Sequence, residues 1–249
     1  MAGIPYSTPS QPIGDKVLNG GLNSTAGALE LKENESSDLQ NIDFDKFGSV
    51  VKRNGYTVLC SAGTADPVGS DGLWWYEYNA AGTPTRFAVN VTGGKLLKMD
   101  ALDGTWDDVT GYVTITSGNH FDFVNAFNTL YATNGVDKPI YWAGTGTAGE
   151  MAVPSGLTTA KYTALFNNYL FLGNVTVSAV TYPTRIYWST IRDAGTWESD
   201  QWIEIGMNDG QPITGLKVLQ DRLVVYKQRA VYNLFFTGDA DLPFIARWW

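Results

Sequence analysis

The chain has a single histidine, His120, and a single cysteine, Cys60, among 249 residues. A Ser-His-Asp triad or a zinc site would have to use that histidine, with no second imidazole and no thiol pair to complete the set. A lone cysteine also excludes an intrachain disulfide framework. No stretch approaches the roughly 18 continuous apolar residues of a membrane span. The start, Met1-Ala2-Gly3-Ile4-Pro5-Tyr6-Ser7, has no basic region followed by an apolar one, so no secretory signal is read there. The Asn-x-Ser/Thr triplets at Asn23, Asn34, Asn90 and Asn174 are accordingly read as chance.

Positive charge is scarce as well. Against 25 Asp and Glu stand 17 Lys and Arg, a net charge of −8. A protein that grips a phosphate backbone needs a basic face. The modest basic concentrations, Lys52-Arg53 and Arg222 to Arg229, read as solvated strand edges. What is plentiful is glycine (27) and aromatic side chains (13%, nine of them Trp). That mixture suits many tight turns, with large rings filling the space between sheets.

A strand signature recurs about every 45 residues. Lys138-Pro139-Ile140-Tyr141-Trp142, Thr184-Arg185-Ile186-Tyr187-Trp188 and Arg229-Ala230-Val231-Tyr232-Asn233 are evenly spaced. One step back from Tyr141 lies Leu96, within the run Lys95 to Met99. Gly104-Thr105-Trp106 and Gly195-Thr196-Trp197 are two such steps apart. Phe127 to Tyr131, Phe166 to Phe171 and Leu219 to Val224 each place an amide or acid at a turn before a leucine that opens a new strand. No long segment has a 3.6-residue apolar period. The expectation is an all-β chain, a β-propeller with blades of about 45 residues over 57–249, with Tyr141, Tyr187 and Tyr232 in equivalent strands. Ile245-Ala246-Arg247-Trp248-Trp249 reads as mid-strand, so the expectation is either a fragment of a longer propeller, which is the favoured reading, or two aromatic rings that pack against another chain.

Residues 1–56 differ. Pro5, Pro9 and Pro12, the pair Gly20-Gly21 and the polar run Lys32 to Asp38 describe an extended N-terminal arm ordered by a partner. A short helix about Ser36 to Gln40 is expected, capped by Ser36 or Ser37.

Chemistry is sparse. Asp66, Asp71, Asp122 and Glu204 are the acids that glycoside hydrolysis would recruit, and no spacing pairs any two of them. Asp107 and Asp108 would point to opposite faces of a strand. Asp100, Asp103, Asp107 and Asp108 lack the register and closing Glu of an EF-hand. Gly93-Gly94-Lys95 lacks the spacing of a phosphate loop. Arg192-Asp193-Ala194-Gly195-Thr196-Trp197 resembles the Asp-box of sialidase-like propellers, one residue short, and in that family the motif is a structural turn. Leu102 to Trp106 matches it less well. The reading is of no catalytic, cofactor or metal site and no enzyme.

Several stretches resemble the propeller-bearing tail hub or nozzle proteins of tailed bacteriophages. Gly20-Gly21-Leu22-Asn23, Asn41-Ile42-Asp43-Phe44 and Gly48 to Tyr56 resemble their N-terminal arm. Ile186 to Ser189 with Thr196-Trp197, Ile203 to Gly206 and Asp209 to Leu216 resemble a later blade, as do Leu223 to Lys227 with Val231-Tyr232 and Gly238. The resemblance implies a virion structural protein without cofactor, assembled in the host cytoplasm. It further implies a homo-oligomeric ring, typically a hexamer, below the portal and adaptor. There it would prolong the DNA channel, without membrane contact. An acidic chain around that channel would let DNA pass without holding it. The alternatives are a carbohydrate-binding propeller that uses exposed Trp and Tyr, and a propeller glycosidase.

Overall fold

The computed structural model describes residues 21–23, 25, 30–31, 35–36, 42–44, 50–52, 69–80, 82–100, 105–239 and 242–248. Two compact units make up the chain, 1–58 and 59–249. In the first, β1 (Gly21–Leu22) pairs in parallel with β2 (Glu35–Ser36), and β3 (Ile42–Phe44) pairs antiparallel with β4 (Val50–Lys52). Asn23 Nδ2 donates to Glu35 Oε2 at 3.0 Å across the first pair. Ser36 therefore lies in a strand, where a helix start was expected; 37–40 fall outside the described residues, as do Pro5, Pro9 and Pro12.

The second unit holds four four-stranded antiparallel sheets, each a meander in sequence order. Sheet I is β5 (Gly72–Ala80), β6 (Thr83–Thr92), β7 (Lys95–Asp100) and β8 (Asp107–Asp108). Sheet II is β9 (Asp122–Ala126), β10 (Thr129–Thr133), β11 (Ile140–Trp142) and β12 (Gly149–Glu150). Sheet III is β13 (Leu157–Phe166), β14 (Tyr169–Val177), β15 (Val180–Trp188) and β16 (Trp202–Glu204). Sheet IV is β17 (Ile213–Leu219), β18 (Arg222–Lys227), β19 (Val231–Phe236) and β20 (Phe244–Trp248). Among the described residues there is no α-helix, only a 3-10 turn at Met207–Asp209.

The recurring motif occupies one place in this plan. Leu96, Tyr141, Tyr187 and Tyr232 all lie in the third strand of their sheet. Thr105-Trp106 and Thr196-Trp197 both lie between a third and a fourth strand. The opening leucines Leu130, Leu170 and Leu223 each stand second in the second strand and are buried.

The faces, however, do not all repeat. Tyr187 pairs with Leu172 and Tyr232 with Val225, two residues past the opening leucine. Tyr141 pairs with Tyr131, one residue past it. Sheet II is therefore slipped by one, which sends Ile140 and Trp142 toward sheet I while Ile186 and Trp188 face sheet IV.

Turn chemistry sets the hairpins. Phe127-Asn128 (φ 49° and 60°), Asn167-Asn168 (49° and 64°) and Gly93-Gly94 (55° and 78°) are two-residue turns with both φ positive, matching the twist of the flanking strands. Gly93-Gly94-Lys95 is thus a hairpin turn. Pro84 in β6 lies opposite Asn79, beyond the stretch paired with β7, so its missing N–H breaks no ladder bond there.

Three apolar seams join consecutive sheets. Tyr76, Phe87, Val89 and Leu96 meet Phe123, Leu130 and Trp142 between sheets I and II, with Trp142 centred 5.1 Å from Phe87. Ala126 and Tyr131 meet Leu170, Leu172 and Tyr187 between II and III. Phe171 and Trp188 meet Leu216, Leu223, Leu234 and Phe244 between III and IV, with Phe244 centred 4.9 Å from Phe171. Each buried Val, Leu or Phe side chain among them contributes about 1.5–3 kcal/mol. The sheets adjoin chiefly along their first strands, β5 beside β9, β9 beside β13 and β13 beside β17. They fan out from that shared inner line.

Candidate functional site

The inner line is where polar groups from different sheets converge. Asp122 opens β9; its Oδ2 accepts the Thr163 N–H of β13 and its Oδ1 accepts Lys217 Nζ of β17, both at 3.0 Å. One carboxylate therefore ties sheets II, III and IV. Burial, and then the Asp122 charge, push the neighbouring Tyr162 phenol up. Asp71, just before β5, accepts the Gly118 N–H at 3.0 Å through Oδ2. His120 is exposed beside these groups, at a hollow of about 260 Å³ shared with Asn134, Lys161 and Tyr162. Among the described residues, no group of three His, Cys, Asp or Glu is placed to hold a metal ion.

Glu204 lies at the other end of its sheet, on the outer strand β16. Its Oε1 accepts Arg185 Nε at 2.7 Å and its Oε2 accepts the Thr184 hydroxyl. The Arg185 guanidinium sits between two rings, 3.7 Å from the centre of Tyr182 and 4.0 Å from that of Trp202. Burial works against its charge, but Tyr187 and Glu204 outweigh that and raise its pKa. Glu204 and Asp122 thus serve opposite ends of the sheets. Asp107 pairs with Lys98 at 3.5 Å and Asp108 with Lys95 at 2.9 Å. Asp66, Asp103 and Cys60 lie outside the described residues.

The Asp193 stretch is a closed turn. The Asp193 carboxylate accepts the Gly195 N–H at 2.8 Å, and Trp197 Nε1 donates to the Ala194 carbonyl at 3.0 Å. Hydrogen bonds from Thr196 and from the Gly195 backbone hold the Asp193 carboxyl below its usual range. Trp197 packs into the seam between sheets II and III. Every one of these groups serves the turn.

Lys227 closes the junction of sheets III and IV. Its side chain is wholly buried, and Nζ donates to the carbonyls of Ile205 and Gly206 at 2.6 and 3.1 Å and to both Asp209 oxygens at 2.6 and 2.8 Å. Burial opposes the Asp209 charge, yet Lys227, the Gln211 N–H and the Tyr232 hydroxyl together depress its pKa. Gly206 has φ 57°, and a Cβ there would lie 2.5 Å from both Asp209 Oδ2 and the Tyr232 hydroxyl. Only glycine fits that corner.

No protein-family model and no curated protein matches the chain. Among solved structures it is similar to the computationally designed Ika4 protein, with TM-score 0.40 and 15% identity over 65% of this chain and 84% of that one. It is similar also to the computationally designed Ika8 protein, with TM-score 0.38 and 15% identity over 66% of this chain and 43% of that one.

Sequence reasoning passed over Lys227, Asp209 and the Arg185 box, since nothing in a lone Lys or Arg of a strand announces burial. On sheet IV, Leu219, Val224, Tyr226, Arg229 and Trp248 border an open hollow of about 660 Å³. Of the nine Trp, Trp142 and Trp188 are buried, whereas Trp75, Trp202 and Trp248 are exposed.

Proposed function

We propose that this chain is a structural protein of a bacteriophage virion, a tail hub or nozzle component whose sheets are blades of a β-propeller. It forms part of a homo-oligomeric ring below the portal and adaptor, through which the genome passes. The observation that carries the reading is the order of the arm and blade motifs along one chain. The fan of meander sheets supports the propeller: each seam follows the last in sequence, and Asp122 links the first strands of three sheets. The net charge of −8 supports passage of DNA without retention.

Asp122, Glu204, Asp209 and Lys227 are committed to junctions between strands and sheets, as suits a scaffold under load. Antibody labelling of virions of the phage encoding the chain tests this reading. Label at the head–tail junction is expected. Its absence from purified particles, or its confinement to distal fibres, would overturn the assignment.

A further inference from the structure

The hollow beside His120 is walled by three segments of chain. They are the link between sheets I and II at 118–120, the turn from β10 to β11 at 134–136, and β13 at Lys161 and Tyr162. Hydrogen bonds fix these walls to one another. The Gly135 N–H donates to the Ala160 carbonyl at 2.8 Å, which joins the turn to β13. Asp137 accepts the Thr116 N–H and hydroxyl at 2.6 and 2.7 Å, which joins the turn to the link. Gly135 has φ 79°, and a Cβ there would lie 3.0 Å from Lys161 Cγ, so the glycine leaves room for the lysine stem.

The walls bring together donors that have no acceptor. Among the described residues, neither the His120 imidazole nor the Tyr162 hydroxyl has a hydrogen-bond partner. Lys161 Nζ has only the Tyr162 ring, 5.8 Å from its centre. The other lysines of the four sheets are ion-paired within 3.5 Å: Lys95 with Asp108, Lys98 with Asp107, Lys138 with Glu150, Lys217 with Asp122 and Lys227 with Asp209. Lys161 is the exception. No carboxylate lines the hollow, and the acids around it are engaged: Asp71 by the Gly118 N–H, Asp122 by Thr163 and Lys217, Asp137 by Thr116. At about 260 Å³ the space lies below the roughly 300–1,000 Å³ of sites for drug-sized molecules, so it suits a small group.

We propose that this hollow binds a phosphate group, with Lys161 as its charge partner and His120 and Tyr162 as hydrogen-bond donors. Three donors suit a tetrahedral oxyanion, which has an oxygen for each, better than a planar carboxylate with two. The Tyr162 phenol, pushed up by burial and by Asp122, keeps its proton at neutral pH and so stays a donor. Phosphate has two sources, the free ion or its soluble esters and the backbone of DNA. The site stands apart from the tail reading and needs neither a ring nor a virion.

Proton NMR of the full chain at constant pH and ionic strength tests it, because a single histidine gives imidazole signals that no other residue shares. Inorganic phosphate should move the His120 signals saturably, and chloride should not. Lys161→Gln, at an exposed side chain, should weaken binding by about tenfold or more, with unchanged circular dichroism. Lys161→Arg should keep the binding, and Lys95→Gln on sheet I should bind like the wild type. A short DNA duplex separates the sources. Saturation by duplex at a lower phosphate concentration than the free ion needs assigns the site to the DNA backbone. Saturation by the free ion alone assigns it to soluble phosphates. His120 signals that saturate with neither overturn the proposal, as does a Lys161→Gln variant that binds phosphate like the wild type. Acetate or a neutral sugar that binds there as tightly as phosphate overturns it too.

Discussion

Lys227 is the side chain on which the junction between sheets III and IV depends most. Replacing it with Ala takes the buried cation away from the Asp209 carboxylate and one donor from each of the Ile205 and Gly206 carbonyls. The expected loss is about 3–5 kcal/mol in a urea melt; a loss near zero would show that water replaces the ammonium freely. Asp209 sets a pH dependence. Its pKa is depressed in the folded state, so its contribution is fully present above the unfolded value near 3.9 and disappears as pH falls through the folded value. The melting temperature should therefore hold near neutrality and drop below about pH 4. Asp209→Asn should show a shallower acid drop, and parallel acid limbs would refute the role.

Tyr76 acts at the other end of the scale. Burial first, then Tyr78 and Tyr131, push its phenol up to about 12. Its share of stability is present below the unfolded value near 10 and is lost as pH rises toward 12. Nothing local in the sequence reveals these roles. Lys227 ends an apolar run like any solvated strand end, and its partner Asp209 lies 18 residues upstream, on the far side of β17.

At the scale of elements, two asparagines stitch sheet II to sheet I. Asn128 accepts the Asn79 N–H at 2.6 Å and donates to the Asn79 carbonyl at 3.0 Å, while Asn125 accepts Trp74 Nε1 at 2.9 Å. Asn128 also has φ 60°. Asn128→Ala should cost about 2–3 kcal/mol, from the left-handed backbone and two lost hydrogen bonds. Asn128→Gly should cost about 1–2 kcal/mol, because only the hydrogen bonds go. Equal losses in chemical denaturation would contradict that division.

The strand order was legible in the 45-residue spacing because each sheet repeats the same strand and turn sequence. The one-residue slip of sheet II was not. In Ile140-Tyr141-Trp142 and Ile186-Tyr187-Trp188 every position is apolar, so alternation cannot decide which parity faces which neighbour. The Arg185 box escaped notice for a related reason, since Trp202 and Glu204 are brought to it only by the pairing of β16 with β15.

For the whole molecule, the division of the chain makes a separable prediction. Deleting residues 1–35 should leave the thermal melt of the four sheets nearly unchanged while abolishing incorporation into virions. Losing folding and incorporation together would make the arm part of the sheet unit, and normal incorporation would make it dispensable. The assembly itself is the central claim, and electron microscopy of the purified full chain, alone and with phage tail components, tests it most directly. The account predicts rings of four-sheet bodies around an axial channel that join the tail below the adaptor. Single particles that never close into rings, from a protein that tails form without, would contradict it.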